Sequence, residues 1–171
     1  MCGFVGFTNY IKDTGIVLEQ MMDSIAHRGP DSAGCYIDSD IALGFRRLSI
    51  IDLAEGNQPM FNEDKSLVLV FNGEIYNFKE LRTELEKEGH IFENNSDSEV
   101  LLHGYEQWGE EFVKKLRGMF AFVIFNKNDG TIFGARDMFG IKPFYYTQCN
   151  NSFIFGSEIK AFLHHPEFEK C

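Results

Sequence analysis

The sequence predicts an α+β fold in which two mainly antiparallel sheets are covered by helices. Three observations lead there. Apolar runs such as Ser66 to Phe71 and Met119 to Asn126 carry consecutive large side chains, as strands buried on both faces do. The second run is followed by Asn128-Asp129-Gly130 and then by TIFGARD, a strong hairpin signal. Between such runs lie segments whose apolar residues recur at helical spacing. The 18 phenylalanines fall mostly in the strand-like runs.

The elements follow in order. Cys2 to Thr8 reads as a buried strand, and Gly15 to Ala26 as a helix with Ile16, Val17, Met21 and Ile25 on one stripe. HRGPDSAG, His27 to Gly34, is expected to be a loop because Gly29-Pro30-Asp31 interrupts either regular structure. Ile41 to Arg47 is a strand, and an irregular stretch runs through Asp64. Ser66 to Phe71 is a strand ending at Asn72-Gly73. Helices are expected at Phe78 to Glu88, Ser98 to Trp108 and Glu110 to Leu116. The hairpin of Met119 to Asp137 comes next, then strands at Phe144 to Thr147 and Phe153 to Phe155, and a closing helix at Ser157 to His164. Repeats, low-complexity tracts and linkers are lacking, so one domain is expected.

Composition narrows the function. A net charge of −10 argues against a nucleic-acid partner, which requires clustered Lys and Arg. Cys2, Cys35, Cys149 and Cys171 are widely spaced and include no CxxC pair, so neither a zinc signature nor a disulfide scaffold is expected. MCGFVGFTNYIKD lacks the basic and apolar regions of a signal peptide, and no apolar run approaches the roughly 20 residues of a membrane span. A soluble, cytoplasmic protein without membrane contact is expected.

Four local patterns could carry chemistry, and each has a plain structural alternative. Removal of Met1 would leave Cys2 at the terminus, where its own α-amine can serve as base for the thiol. A cysteine at position 2 is, however, commonly incidental. Asn72-Gly73-Glu74 after an apolar run is a hairpin-turn signal. The same Asn amide and the next backbone N–H could instead be paired donors for an oxyanion. Ser96 and Glu99 fit a capping box, which makes no demand for Asp97; a carboxylate there could bind an ammonium group. In Arg46-Arg47, one planar guanidinium could grip a carboxylate bidentately, or both could be solvated or paired.

The order of the blocks is more specific than any one of them. MCGFVGF, HRGPDSAG, RRLSIID, FNGEIYN, SDSE, GMFAFVIF, ARDMFGIKPFYY and SEIKAF resemble the glutaminase (class II glutamine amidotransferase) domain of the glutamine-hydrolysing asparagine synthetases, from Cys2 to about Leu163. HRGPD and FNGEIYN are closer to that family than to the glucosamine-phosphate or phosphoribosyl amidotransferases that share the terminal Cys-Gly. The resemblance implies an N-terminal nucleophile hydrolase, a four-layer αββα sandwich, spanning 2–171. Phe45 departs from the family, which often has His there.

By that resemblance Cys2 is the nucleophile and Asn72 with the Gly73 N–H forms the oxyanion hole. Arg47 binds the α-carboxylate of L-glutamine, and Glu74 and Asp97 bind its α-ammonium. HRGPD shapes a loop and takes no catalytic part. No metal or other cofactor is implied in this domain. ATP and Mg²⁺ belong to a C-terminal synthetase domain, whose SGGxDS-type signature this chain lacks; a homodimer is compatible with the family. Glutamine hydrolysis would supply ammonia for converting aspartate to asparagine. Three alternatives stand beside this: an amidotransferase with another acceptor, a catalytically silent interaction module, and an acylase acting on other amides.

Overall fold

The computed structural model describes residues 1–8, 11–48 and 57–168. Ser49 to Asp52 of the RRLSIID block and Cys171 lie outside them. The chain divides into two compact units, Met1–Ile51 with Lys142–Cys171, and Asp52–Ile141.

The first unit is built on a five-stranded antiparallel sheet. Its strands are β1 (Gly3–Thr8), β2 (Ser32–Ile37), β3 (Ile41–Arg47), β8 (Tyr145–Cys149) and β9 (Ser152–Gly156), in the order β2-β3-β1-β9-β8. Helix α1 (Thr14–Ser24) and a short 3-10 helix, Ile159–His164, cover one face. There Val5, Phe7, Ala42 and Ile154 pack against Leu18, Met21, Ile25 and Phe162. Alternation along the strands turns Phe4, Leu43, Phe45 and Phe155 to the other face, where they are also buried.

The second unit holds a four-stranded antiparallel sheet ordered β4-β5-β6-β7. Its strands are β4 (Met60–Phe61), β5 (Leu67–Ile75), β6 (Gly118–Asn126) and β7 (Thr131–Arg136). Helices α2 (Phe78–Lys87) and α3 (Asp97–Trp108) cover one face. Leu69, Phe71, Ile75, Phe120 and Phe122 meet Leu81, Leu85 and Leu101 there. Val68, Val70, Val123 and Phe125 are buried on the opposite face, as the continuous apolar runs require.

Four expectations are corrected. HRGPDSAG is not a loop throughout: Ala26–Arg28 forms a 3-10 turn, and β2 begins at Ser32 because Ser32 to Ile37 pairs with Arg47 to Ala42. The irregular stretch before Asp64 contains β4. The two short helices expected at Glu110 to Leu116 and Ser157 to His164 are 3-10 helices, Gly109–Lys115 and Ile159–His164. Most consequentially, Asn72-Gly73 is no turn. β5 runs straight through it to Ile75, with Asn72 opposite Ala121 and Gly73 opposite Phe120.

Candidate functional site

β1 begins one residue after Cys2, and its register with β3 is Gly3 opposite Arg46. Extending that register by one residue would bring Cys2 opposite Arg47. The half-buried Cys2 Sγ accepts the Leu48 N–H at 3.4 Å and lies 3.7 Å from the Leu48 carbonyl. The Cys2 carbonyl accepts Arg28 Nε–H at 3.0 Å. Phe4 then exchanges both backbone bonds with Ser157, through its N–H to Ser157 Oγ at 3.0 Å and its carbonyl from Ser157 N–H at 2.8 Å.

The two adjacent arginines separate by strand alternation. Arg46 turns to the helix-covered face, where its guanidinium donates to the Met22 carbonyl at 3.1 Å and pairs with Asp23. Arg47 therefore belongs to the face of Phe45, the side away from α1. Of the two, Arg46 is committed to α1.

HRGPD braces this end of the sheet. Gly29 lies against the β3 backbone; a Cβ there would sit 2.3 Å from the Arg46 carbonyl carbon and 2.4 Å from Arg47 N. Asp31 N–H donates to the Arg47 carbonyl at 3.1 Å. Arg28 Nη1 and His27 Nε2 both reach Glu158 Oε1, at 3.0 and 2.9 Å. Burial alone would raise the Glu158 pKa, but Arg28, Lys160 and His27 outweigh it and hold the carboxyl below its usual range. Arg28 and Glu158 were not singled out from sequence. Their blocks, HRGPD and SEIKAF, were visible, but a contact across 130 residues leaves no local pattern.

On the second unit, Asn72 and Glu74 share the face of β5 turned from α2 and α3. Asn72 is 3% exposed, and its amide nitrogen has no hydrogen-bond partner among the described residues. Such an orphaned buried donor costs free energy and calls for an explanation. The position of the Gly73 N–H follows from the ladder. Phe120 directs both its backbone groups to Asp137, so the Gly73–Phe120 pair is a non-hydrogen-bonded one. Gly73 N–H then points to the opposite flank of β5, along with those of Phe71 and Ile75. The Phe71 N–H goes to Gln58 Oε1 at 2.6 Å and that of Ile75 to Asp97 Oδ2 at 2.9 Å. Gly73 lies between them.

Asp97 opens α3. Burial raises its pKa above the ordinary 3.8; the Ile75 N–H pulls it down, and the neighbouring Glu74 charge adds to the rise. The capping box does not form. Ser96 holds the N-cap position without a side-chain bond, and its N–H goes to Asn94 Oδ1 at 2.8 Å. Glu99 turns back instead to accept the N–H groups of Glu93 and Asn94, at 2.7 and 3.1 Å. The helix start is thus organised by the preceding loop. Phe45, the departure from the family pattern, is 2% exposed and paired with Phe4 and Gly34.

Residues 1–171 match the family model described as a glutamine amidotransferase domain. The chain belongs to the glutamine amidotransferase domain family. Among curated relatives, this amidotransferase domain is 52% identical over 168 residues to glutamine-hydrolyzing asparagine synthetase 1 of Bacillus subtilis (strain 168), covering 95% of the chain and 27% of the relative. It is 46% identical over 171 residues to asparagine synthetase 2 of the same organism, covering 97% and 23%. The chain thus spans about a quarter of the length of these relatives.

Two solved structures share its fold. One is the glutamine phosphoribosylpyrophosphate amidotransferase of Bacillus subtilis complexed with ADP and GMP, with a TM-score of 0.76 and 22% identity over 94% of this chain and 43% of that one. The other is described as the allosteric regulatory enzyme of purine biosynthesis, with a TM-score of 0.78 and 23% identity over 95% and 43%. The α+β class with two antiparallel sheets, expected for an N-terminal nucleophile amidotransferase, is the class observed. No helix among the described residues is long and apolar enough to cross a membrane.

Proposed function

We propose that this amidotransferase domain hydrolyses L-glutamine to glutamate and ammonia through a γ-glutamyl thioester on Cys2. Once Met1 is removed, the α-amine of Cys2 takes the thiol proton and sulfur attacks the side-chain carbonyl. The carbonyl oxygen gains the charge, and the Asn72 amide and the Gly73 N–H stabilise it. Collapse expels ammonia with that proton, and water then cleaves the thioester to glutamate. Arg47 binds the α-carboxylate of glutamine, and Glu74 with Asp97 binds its ammonium. No cofactor enters these steps.

The observation that carries the reading is the buried Asn72 Nδ2 without a partner, beside a main-chain donor on the flank of β5. A hole for an oxyanion leaves its donors unsatisfied until charge develops. The sequence likeness to asparagine synthetases extends the proposal. The ammonia would pass to an ATP- and Mg²⁺-dependent synthetase domain acting on aspartate, in a cytoplasmic protein that could assemble as a homodimer, with residues 2–171 as its glutaminase part.

Intact mass before and after reaction with 6-diazo-5-oxo-norleucine tests the core of this. The expected result is loss of Met1 and one adduct that maps to Cys2 and is absent in Cys2→Ala. Loss of Met1 with no adduct, or an adduct elsewhere, would overturn the assignment and favour a silent module.

A further inference from the structure

Two histidines and a carboxylate, none of them assigned to glutamine, converge between α2 and α3. His103 and Glu106 lie one turn apart on α3, and His90 follows α2. Each offers one donor atom, and the three atoms lie within 4.8 Å of one another. His103 Nδ1 is 3.0 Å and His90 Nδ1 3.7 Å from the same Glu106 Oε2. A tetrahedral ion with bonds of roughly 2.0–2.1 Å separates its donors by about 3.3 Å, so both distances are near what such an ion requires.

The supporting groups are in place. α2 ends with Gly89 at φ 100°, and Gly89 and His90 donate to the Glu86 and Leu85 carbonyls, a double closure that fixes the backbone at His90. Asn62 Nδ2 holds the other Glu106 oxygen at 2.7 Å. His90 Nε2 lies 3.0 Å from Gln107 Oε1. With hydrogen on that nitrogen, Nδ1 of the neutral ring presents a lone pair to a carboxylate oxygen that already takes the His103 proton. Two electron-rich atoms facing one another are reconciled by a cation between them. His103, 1% exposed, has no hydrogen-bond partner at Nε2 among the described residues; Glu99 Oε1, at 3.8 Å, is the acceptor for that N–H once a cation replaces the Nδ1 proton.

The surroundings favour positive charge. Carboxylate oxygens of Glu106, Glu63 and Glu99 lie 3.0, 3.7 and 3.8 Å from the His103 ring nitrogens. Imidazole and carboxylate donors in this ratio suit zinc and its neighbours rather than magnesium or calcium.

We propose that His90, His103 and Glu106 form a binding site for a divalent transition-metal ion of the zinc class, separate from the residues assigned to glutamine. Calorimetry with Zn²⁺ and absorption spectroscopy with Co²⁺ on the metal-stripped chain test it. One equivalent is expected to bind, with a cobalt spectrum free of thiolate charge-transfer. Zn²⁺ should raise the melting temperature, as any ligand of the native state does. His90→Ala and Glu106→Gln should each weaken binding by about 100-fold or more and abolish the thermal shift. His90 is a partly exposed loop residue, so its replacement leaves the core intact; melting without metal verifies that both variants fold. Absence of a stoichiometric site in the wild-type chain would overturn the proposal. So would affinity unchanged in both variants, or binding that disappears in Cys2→Ala instead.

Discussion

Asp97 Oδ2 accepts the backbone N–H of Ile75 at 2.9 Å, tying the first turn of α3 to the end of β5 that carries Asn72, Gly73 and Glu74. Burial raises the pKa of this acid despite the bond, which draws it down, and the neighbouring Glu74 charge adds to the rise. A carboxyl that binds its proton more tightly when folded contributes stability that is complete below the unfolded value of about 3.8 and is lost as pH rises through the higher folded value. Asp97→Asn keeps an acceptor for Ile75 but cannot ionise. Its melting temperature relative to wild type is expected to improve as pH rises from about 3.8 through the higher folded value and then level off, while its KM for glutamine rises. A difference that stays flat with pH would contradict the raised pKa.

Asn72→Ala separates catalysis from stability. The amide nitrogen makes no hydrogen bond among the described residues, so its removal should leave the melting temperature little changed. Loss of one oxyanion donor should lower kcat by about 10²–10³-fold. Wild-type turnover in this variant would exclude the oxyanion role.

Arg28→Ala removes the 3.0 Å bond to the Cys2 carbonyl and the ion pair to Glu158. Misplacing a reacting group by about 1 Å can cost up to about 100-fold. The rate of Cys2 alkylation by 6-diazo-5-oxo-norleucine should therefore fall far more than glutamine affinity does. Glu158 adds a pH signature of the opposite sign to that of Asp97. Its folded pKa is depressed, so its contribution is present above about pH 4.5 and lost as pH falls through the lower folded value. Melting curves of Glu158→Gln should converge on wild type in acid.

Gly29→Ala places a methyl group 2.3 to 2.4 Å from the backbone joining Arg46 and Arg47. Either the HRGPD segment or β3 must shift, at a cost of about 1–3 kcal/mol in unfolding free energy. Because Arg47 is assigned to the glutamine carboxylate, KM should rise along with the destabilisation. Denaturant unfolding and steady-state kinetics on the same sample check both.

The buried strands and the helices were legible because their patterns are local: the run at Met119 to Asn126 and the Asn128 to Gly130 turn specify a hairpin almost unaided. Asn72-Gly73 shows where that reading stops. Locally it is a turn, but Met119 to Ala121 pair along it, and the ladder overrides the dipeptide. Ser96 and Glu99 have capping-box spacing, yet the N–H groups of Glu93 and Asn94 claim the carboxylate first. For the candidate site, residue types were readable but orientation was not. Which of Arg46 and Arg47 leaves the helix-covered face follows only from the pairing of β1 with β3, and the contact of Arg28 with Cys2 only from the folded chain.

The way Cys2 is held bears on how such a protein matures. Its sulfur rests on Leu48, its carbonyl on Arg28, and the strand behind it on Ser157. Met1 touches this framework through a thioether contact of 3.2 Å to Arg28 Nη2. On the proposed assignment, excision of Met1 frees the amine of a Cys2 whose sulfur, carbonyl and following strand are already held. On that assignment specific activity reports the processed fraction, and titration of Cys2 with 6-diazo-5-oxo-norleucine is the proper denominator for any turnover number.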